Sequence, residues 1–239
     1  MKEEEKKEIE QYLADTIMER PYGFSVGERH FSLYPITLGK MYVLQRYIEQ
    51  LGLRAQDIKN ISIGMLRIVM EKKDECLNII YFHTCRTKHE VFDAQRMEET
   101  VKFFKENMTD ADIASLMIMV LSGDKTEIFI KHLGIDKEQA DLKKVMDVKN
   151  QSDKNSFSFG GVSIYGSFIY PLLELGMSWD EILWERSYTN LRLLLADKVN
   201  SVYVSEEERK RINVSRDRNR VDGDNREAIL KAIESQSWD

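Results

Sequence analysis

Apolar residues recur at helical spacing along most of the chain. Ile9, Leu13 and Ile17 lie four apart within 3–19, with Tyr12 and Ala14 beside them, and predict an amphipathic helix ended by Pro21-Tyr22-Gly23. Leu38, Met41, Leu44, Tyr47, Ile48 and Leu51 form a second stripe and predict a helix over about 37–51, with Gly52 as its C-terminal cap. Strand alternation is clear once. Phe24-Ser25-Val26, Gly27-Glu28 and Arg29 to Tyr34 set Phe31 and Leu33 between polar neighbours, with a permissive turn residue at Gly27. A short hairpin over about 24–34 follows. A further helix is expected over 54–71. The run from Cys76 to Thr84 is ambiguous, because periodicity does not separate strand from buried helix there. Its helical neighbours favour helix.

Capping patterns then follow in order. Thr87-x-x-Glu90, Thr109-x-x-Asp112, Asp124-x-x-Glu127 and Asp136-x-x-Gln139 predict helices over 88–106, 110–121, 125–133 and 137–148. Residues 149–161 are rich in Ser, Asn and Gly and read as a linker. The stretch 162–204 is the most aromatic part, with a helix over 162–175 ended by Gly176. A capping box at Ser178 opens the next helix, and another runs from Tyr188 towards Tyr203. Ser205 and three glutamates start a last helix, and the tail to Asp239 is mostly charged, with arginines and acids interleaved. The fold class is mainly α, a multi-helix domain with a small β-hairpin near the N-terminus. The expected organisation is a helical domain over 1–150, a smaller aromatic-rich helical subdomain over 162–204, and a charged helical or mobile tail over 205–239.

Composition sharpens this picture. The 239 residues are 42% apolar and 32% charged, with three prolines and 12 glycines, which suits a helical core with solvated outer faces. A net charge of −6 argues against non-specific nucleic-acid binding, which needs a positive surface. No apolar run approaches the ~20 residues of a membrane span. The charged N-terminus MKEEEKKEIEQ is unlike a signal peptide, and the two cysteines are expected as reduced thiols in the cytoplasm.

Chemistry-bearing groupings are few. Cys76, His83, Cys85 and His89 are metal-ligand types, but the spacing C-x6-H-x-C-x3-H matches no structural zinc pattern. Cys85 beside a histidine lacks an orienting third group from a separate element. Gly160-Gly161 has no phosphate-loop lysine downstream. No catalytic residue, cofactor or metal is therefore expected. The aromatic cluster of Tyr165, Tyr170, Trp179, Trp184 and Tyr188 is more informative, since large rings with a polar edge anchor cores or interfaces. Scattered methionines such as Met65, Met117 and Met146 add adaptable apolar surface.

Two stretches carry a family resemblance. GFSVGERHFSLYPITLGKMYVLQRYI, near the N-terminus, is a hairpin leading into YPITLGK and a helix. YPLLELGMSWDEILWERSYTNLRLLLADKV contains a G-x-S-W-D/E-x-I helix entry, here Gly176, Ser178, Trp179, Asp180 and Ile182. Together they resemble tail-assembly chaperone-like proteins of tailed bacteriophages and prophages, especially those of Bacteroides-type hosts. The resemblance rests on these two stretches and leaves 53–150 unmatched. It implies a non-enzymatic assembly factor acting in the host cytoplasm. The client would be a tape-measure-like tail protein, whose amphipathic helices would dock by i, i+3, i+4, i+7 anchors. The expected contacts are Trp179, Trp184, Tyr188 and Leu191, with Phe31, Leu33 and Tyr34 second. Two alternatives stand beside it. One is a structural virion or scaffold component that forms a homo-oligomer. The other is a nucleic-acid accessory protein using Arg209 to Arg220, against which the neighbouring acids count.

Overall fold

The computed structural model of the chain describes residues 3–152, 161–198 and 202–212. Among the described residues the fold is mainly helical, with one two-stranded antiparallel sheet near the N-terminus. Contacts gather these residues into two compact units, 3–139 with 161–198, and 140–152 with 202–212.

Helix α1, Glu3–Ile17, leads into strands β1, Tyr22–Val26, and β2, Arg29–Leu33. The strands pair in the register Tyr22↔Leu33, Phe24↔Phe31 and Val26↔Arg29. Gly27 takes φ 55°, the left-handed value that a two-residue hairpin turn needs at its first central position. Phe24 and Phe31 share one face with ring centroids 5.6 Å apart, and Phe31 meets Phe104 edge-on at 4.8 Å. That face seats the hairpin on the core.

Next come α2, Leu38–Gln50, α3, Ala55–Lys59, and α4, Ile61–Glu71. The single helix expected over 54–71 is corrected, because the chain breaks at Asn60 (φ −130°, ψ 79°). The cause is tertiary. α3 folds back on α4, and only a glycine at 64 permits it, since a Cβ there would lie 2.5 Å from the Asp57 Cα. Asp57 is buried and accepts from Arg67 Nη2 at 2.6 Å and Nε at 3.1 Å. Gly64→Ala is expected to destabilise the fold by roughly 1–3 kcal/mol through overpacking. A urea midpoint unchanged from wild type would show that the α3–α4 contact yields freely.

The ambiguous run becomes α5, Lys73–Thr84, in which Cys76, Leu77 and all of 79–84 are buried. A helix buried on every side shows no amphipathic period and must be wrapped. Helices α2 and α4 and strand β2 pack on it, together with α7, Ala94–Asn107, and α8, Asp110–Leu121. Between α5 and α7 lies the short α6, Lys88–Val91. The single helix expected over 88–106 is thus also corrected. Asp93 accepts from the Arg96 N–H at 3.0 Å, a local bond that starts α7 afresh.

Thr109 and Asp112 form the expected capping box of α8. Before α9, Thr126–His132, Asp124 accepts from the Thr126 N–H at 3.0 Å rather than capping at Glu127. Helix α10, Ile135–Ser152, exceeds the expected 137–148 at both ends, so Asp136 lies inside its first turn. The expected linker over 149–161 falls partly in α10 and partly outside the described residues.

The helix expected over 162–175 is a π-helical turn, Tyr165–Ile169, followed by α11, Tyr170–Glu174. Ser178 Oγ accepts from the Glu181 N–H at 3.2 Å and opens a second π-helical turn, Glu181–Glu185. Helix α12, Tyr188–Ala196, stops short of the expected Tyr203. Ser205 and Glu208 cap α13, Glu206–Arg211. The tail beyond 212 lies outside the described residues.

Two apolar clusters result. The larger surrounds α5 and includes Leu33, Leu44, Phe104 and Met117. The smaller joins Phe168, Ile169, Leu172, Ile182 and Leu191 to Leu38 at the start of α2. None of the described helices is long and apolar enough to cross a membrane.

Candidate functional site

Helices α2, α6 and α12 begin around a common space. Their caps are Thr37, Thr87 and Ser187, whose hydroxyls accept from the N–H groups of Lys40 (3.4 Å), Glu90 (3.3 Å) and Asn190 (3.2 Å). Thr37 and Ser187 pair as an isolated antiparallel bridge, and the Tyr188 N–H donates to the Ile36 carbonyl at 2.8 Å. These bonds stitch the start of α12 to the approach of α2. The space is a cleft of about 900 Å³. Thr37, Thr87 and Ser187 line it with four basic side chains, Lys40, Arg86, Lys88 and Arg186, and three acids, Glu19, Asp180 and Glu185. Tyr34, Pro35 and Trp184 supply its apolar wall.

Two backbone positions shape it. Gly39 has no Cβ, and a Cβ there would lie 2.8 Å from the Trp184 ring and from the Leu183 carbonyl oxygen. The indole fills that space, meets Phe92 edge-on at 5.6 Å and has the Lys88 ammonium 5.8 Å from its centre. Glu19 is the non-glycine residue with positive φ, 52°, among the described residues. That strained conformation brings its carboxylate to the Ser187 N–H at 2.8 Å and to Asn190 Nδ2 at 3.1 Å.

Lys40 dominates the electrostatics. It is only 1% exposed although it lines the cleft. Its ammonium lies 5.9 Å from the centre of the Tyr34 ring and makes no ion pair or side-chain hydrogen bond among the described residues. Burial lowers its pKa to about 8, with Cys85 and Glu90 pulling the other way. Behind it, the His83 carbonyl accepts from the Tyr34 N–H at 2.7 Å. The His83 imidazole is buried and its pKa is lowered to about 4, first by burial and then by the Lys40 charge, against a bond to the Tyr34 backbone.

The thiols are poorly suited to nucleophilic chemistry. Burial pushes Cys76 up to about 12 and also raises Cys85, whose S–H lies 3.4 Å from the Tyr81 carbonyl. Among the described residues no group of three or more His, Cys, Asp or Glu side chains could hold a metal ion.

Comparison of the chain with protein-family models, curated proteins and solved structures finds no match.

The fold separates the residues singled out from the sequence. Tyr34 and Trp184 both line the cleft. Trp179 is 45% exposed and stacks on Tyr165 at 6.2 Å. Tyr188 is half-buried against Phe168 at 5.4 Å. Leu191 and Leu33 are buried core residues and Phe31 is packed among phenylalanines, so these three offer a partner little surface. Sequence reasoning missed Lys40 and Thr37. One sign was available, because a lysine in the first turn of a helix lies at the wrong end of the helix dipole.

Proposed function

We propose that the chain is a non-enzymatic tail-assembly factor of the tailed-phage kind, which binds a helical, tape-measure-like tail protein. The observation that carries this reading is the exposed aromatic surface of the 161–198 segment. Tyr165 is 63% exposed, and Tyr170 and Trp179 are also exposed, while Phe168, Ile169 and Leu172 of the same segment face inward. Stacked rings such as Tyr165 and Trp179 present a large apolar area with few rotamers to freeze, which suits an anchor for an amphipathic helix. The contact set therefore keeps Trp179, gains Tyr165 and Tyr170, and loses the buried Leu191.

Co-expression with a tape-measure-like protein from a neighbouring gene tests this. The client should co-purify with the wild-type chain, and Tyr165→Ala/Trp179→Ala should cut recovery at least about tenfold, the loss of about 1.4 kcal/mol or more expected at an anchor. Full recovery with the folded double variant would reject the assignment of this surface.

A second reading, a component that self-associates, draws on α4. Ile63, Leu66 and Met70 are exposed at i, i+3, i+7 on that helix. A stable homo-oligomer without client, dispersed by a charge at Met70, would favour it.

A further inference from the structure

We infer that the cleft over Lys40 is a binding site for an oxyanion, phosphate or carboxylate, carried by a small ligand. The first ground is the lysine itself. A lysine with 1% of its surface exposed, and no acid or carbonyl bonded to its ammonium among the described residues, has its charge met only at a distance, by Glu90, Cys85 and the Tyr34 ring. Methionine would fill that volume without the charge. No buried side-chain nitrogen or oxygen among the described residues is both cut off from the surface and unbonded. The Lys40 ammonium therefore reaches the open space of the cleft, where an incoming anion can meet it.

The second ground is the helix that holds it. α2 has 13 residues and begins at the cleft wall, so its first-turn N–H groups add positive potential there. The end of α12 adds less, because the Glu19 carboxylate already occupies it. The third ground is the remaining charge. Asp180 lies 3.7 Å from Lys88, whereas Arg86 lines the cleft with an exposed side chain and no ion pair among the described residues. Glu185 is the opposing acid. Lysine binds phosphate as a point charge and arginine grips either oxyanion through its planar fork. The cleft is much larger than one such group, and the Tyr34 and Trp184 rings leave room for an apolar or planar body attached to it.

The test is calorimetric titration of the full chain with inorganic phosphate and, separately, with succinate. One-to-one binding is expected for at least one of them, with proton uptake near pH 8 as the anion holds Lys40 in its charged form. Lys40→Met should weaken binding at least about tenfold and abolish the proton uptake, while Lys143→Met, on an exposed position, changes neither. Arg86→Gln, a surface change that leaves the core untouched, should weaken binding severalfold. Phosphate alone binding would assign a phosphorylated ligand, and succinate alone a carboxylate. Binding of neither, or binding that Lys40→Met leaves unchanged, would overturn the inference. Neither Tyr165 nor Trp179 lines the cleft, so the result is independent of client binding.

Discussion

Lys40→Met is expected to stabilise the ligand-free fold by about 3 kcal/mol at neutral pH, following from about 1.4 kcal/mol for each tenfold change in proton affinity. Burial lowers Lys40 from 10.5 in the unfolded chain to about 8. Between those values the unfolded chain holds a proton that the folded chain has lost, so stability rises with pH across that window. Above 10.5 both states are neutral and there is no penalty. As pH falls through 8 the folded state must bury the charge, and at pH 7 the whole penalty is present. Methionine removes it with a side chain of similar length. Urea denaturation of both proteins at pH 7 and at pH 10.5 checks this. The difference between them should be largest at pH 7 and shrink towards pH 10.5. Equal midpoints at pH 7 would show that the ammonium is well solvated in the cleft.

His83 should give the chain a marked acid sensitivity. Its pKa falls from 6.5 to about 4 on folding. The unfolded chain therefore takes up a proton between pH 6.5 and 4 that the folded chain refuses, and stability is lost as pH falls through that window. The loss approaches about 3 kcal/mol below pH 4 by the same conversion. His83→Gln, neutral throughout, should flatten this part of the stability profile. Lys40→Met should flatten it partly, because the lysine charge is the second cause of the depression. A wild-type profile that is flat from pH 6.5 to 4 would contradict the assignment.

Helix positions were largely legible from the sequence where local bonds decide them. The Thr109–Asp112 and Ser205–Glu208 capping boxes form as their spacing implies, and the alternation around Phe31 gives the hairpin. The breaks at Asn60 and Phe92 were not legible. The first depends on α3 packing against Gly64, a contact invisible along the chain, and the second on Asp93 capping a new helix six residues after Thr87 has capped α6. The site divided in the same way. Trp184 and Tyr34 announced themselves as large aromatics. Lys40 carried no sign of burial along the chain, because neighbours of its ammonium such as His83, Cys85 and Glu90 lie far from it in sequence.

The contact between Gly39 and Trp184 has a consequence for how this protein can change over time. The indole occupies the volume that any larger residue at 39 would need. Losing the ring at 184 would not free position 39, because the Leu183 carbonyl oxygen would still stand 2.8 Å from a Cβ there, so in a set of related chains position 39 should stay glycine even where 184 varies.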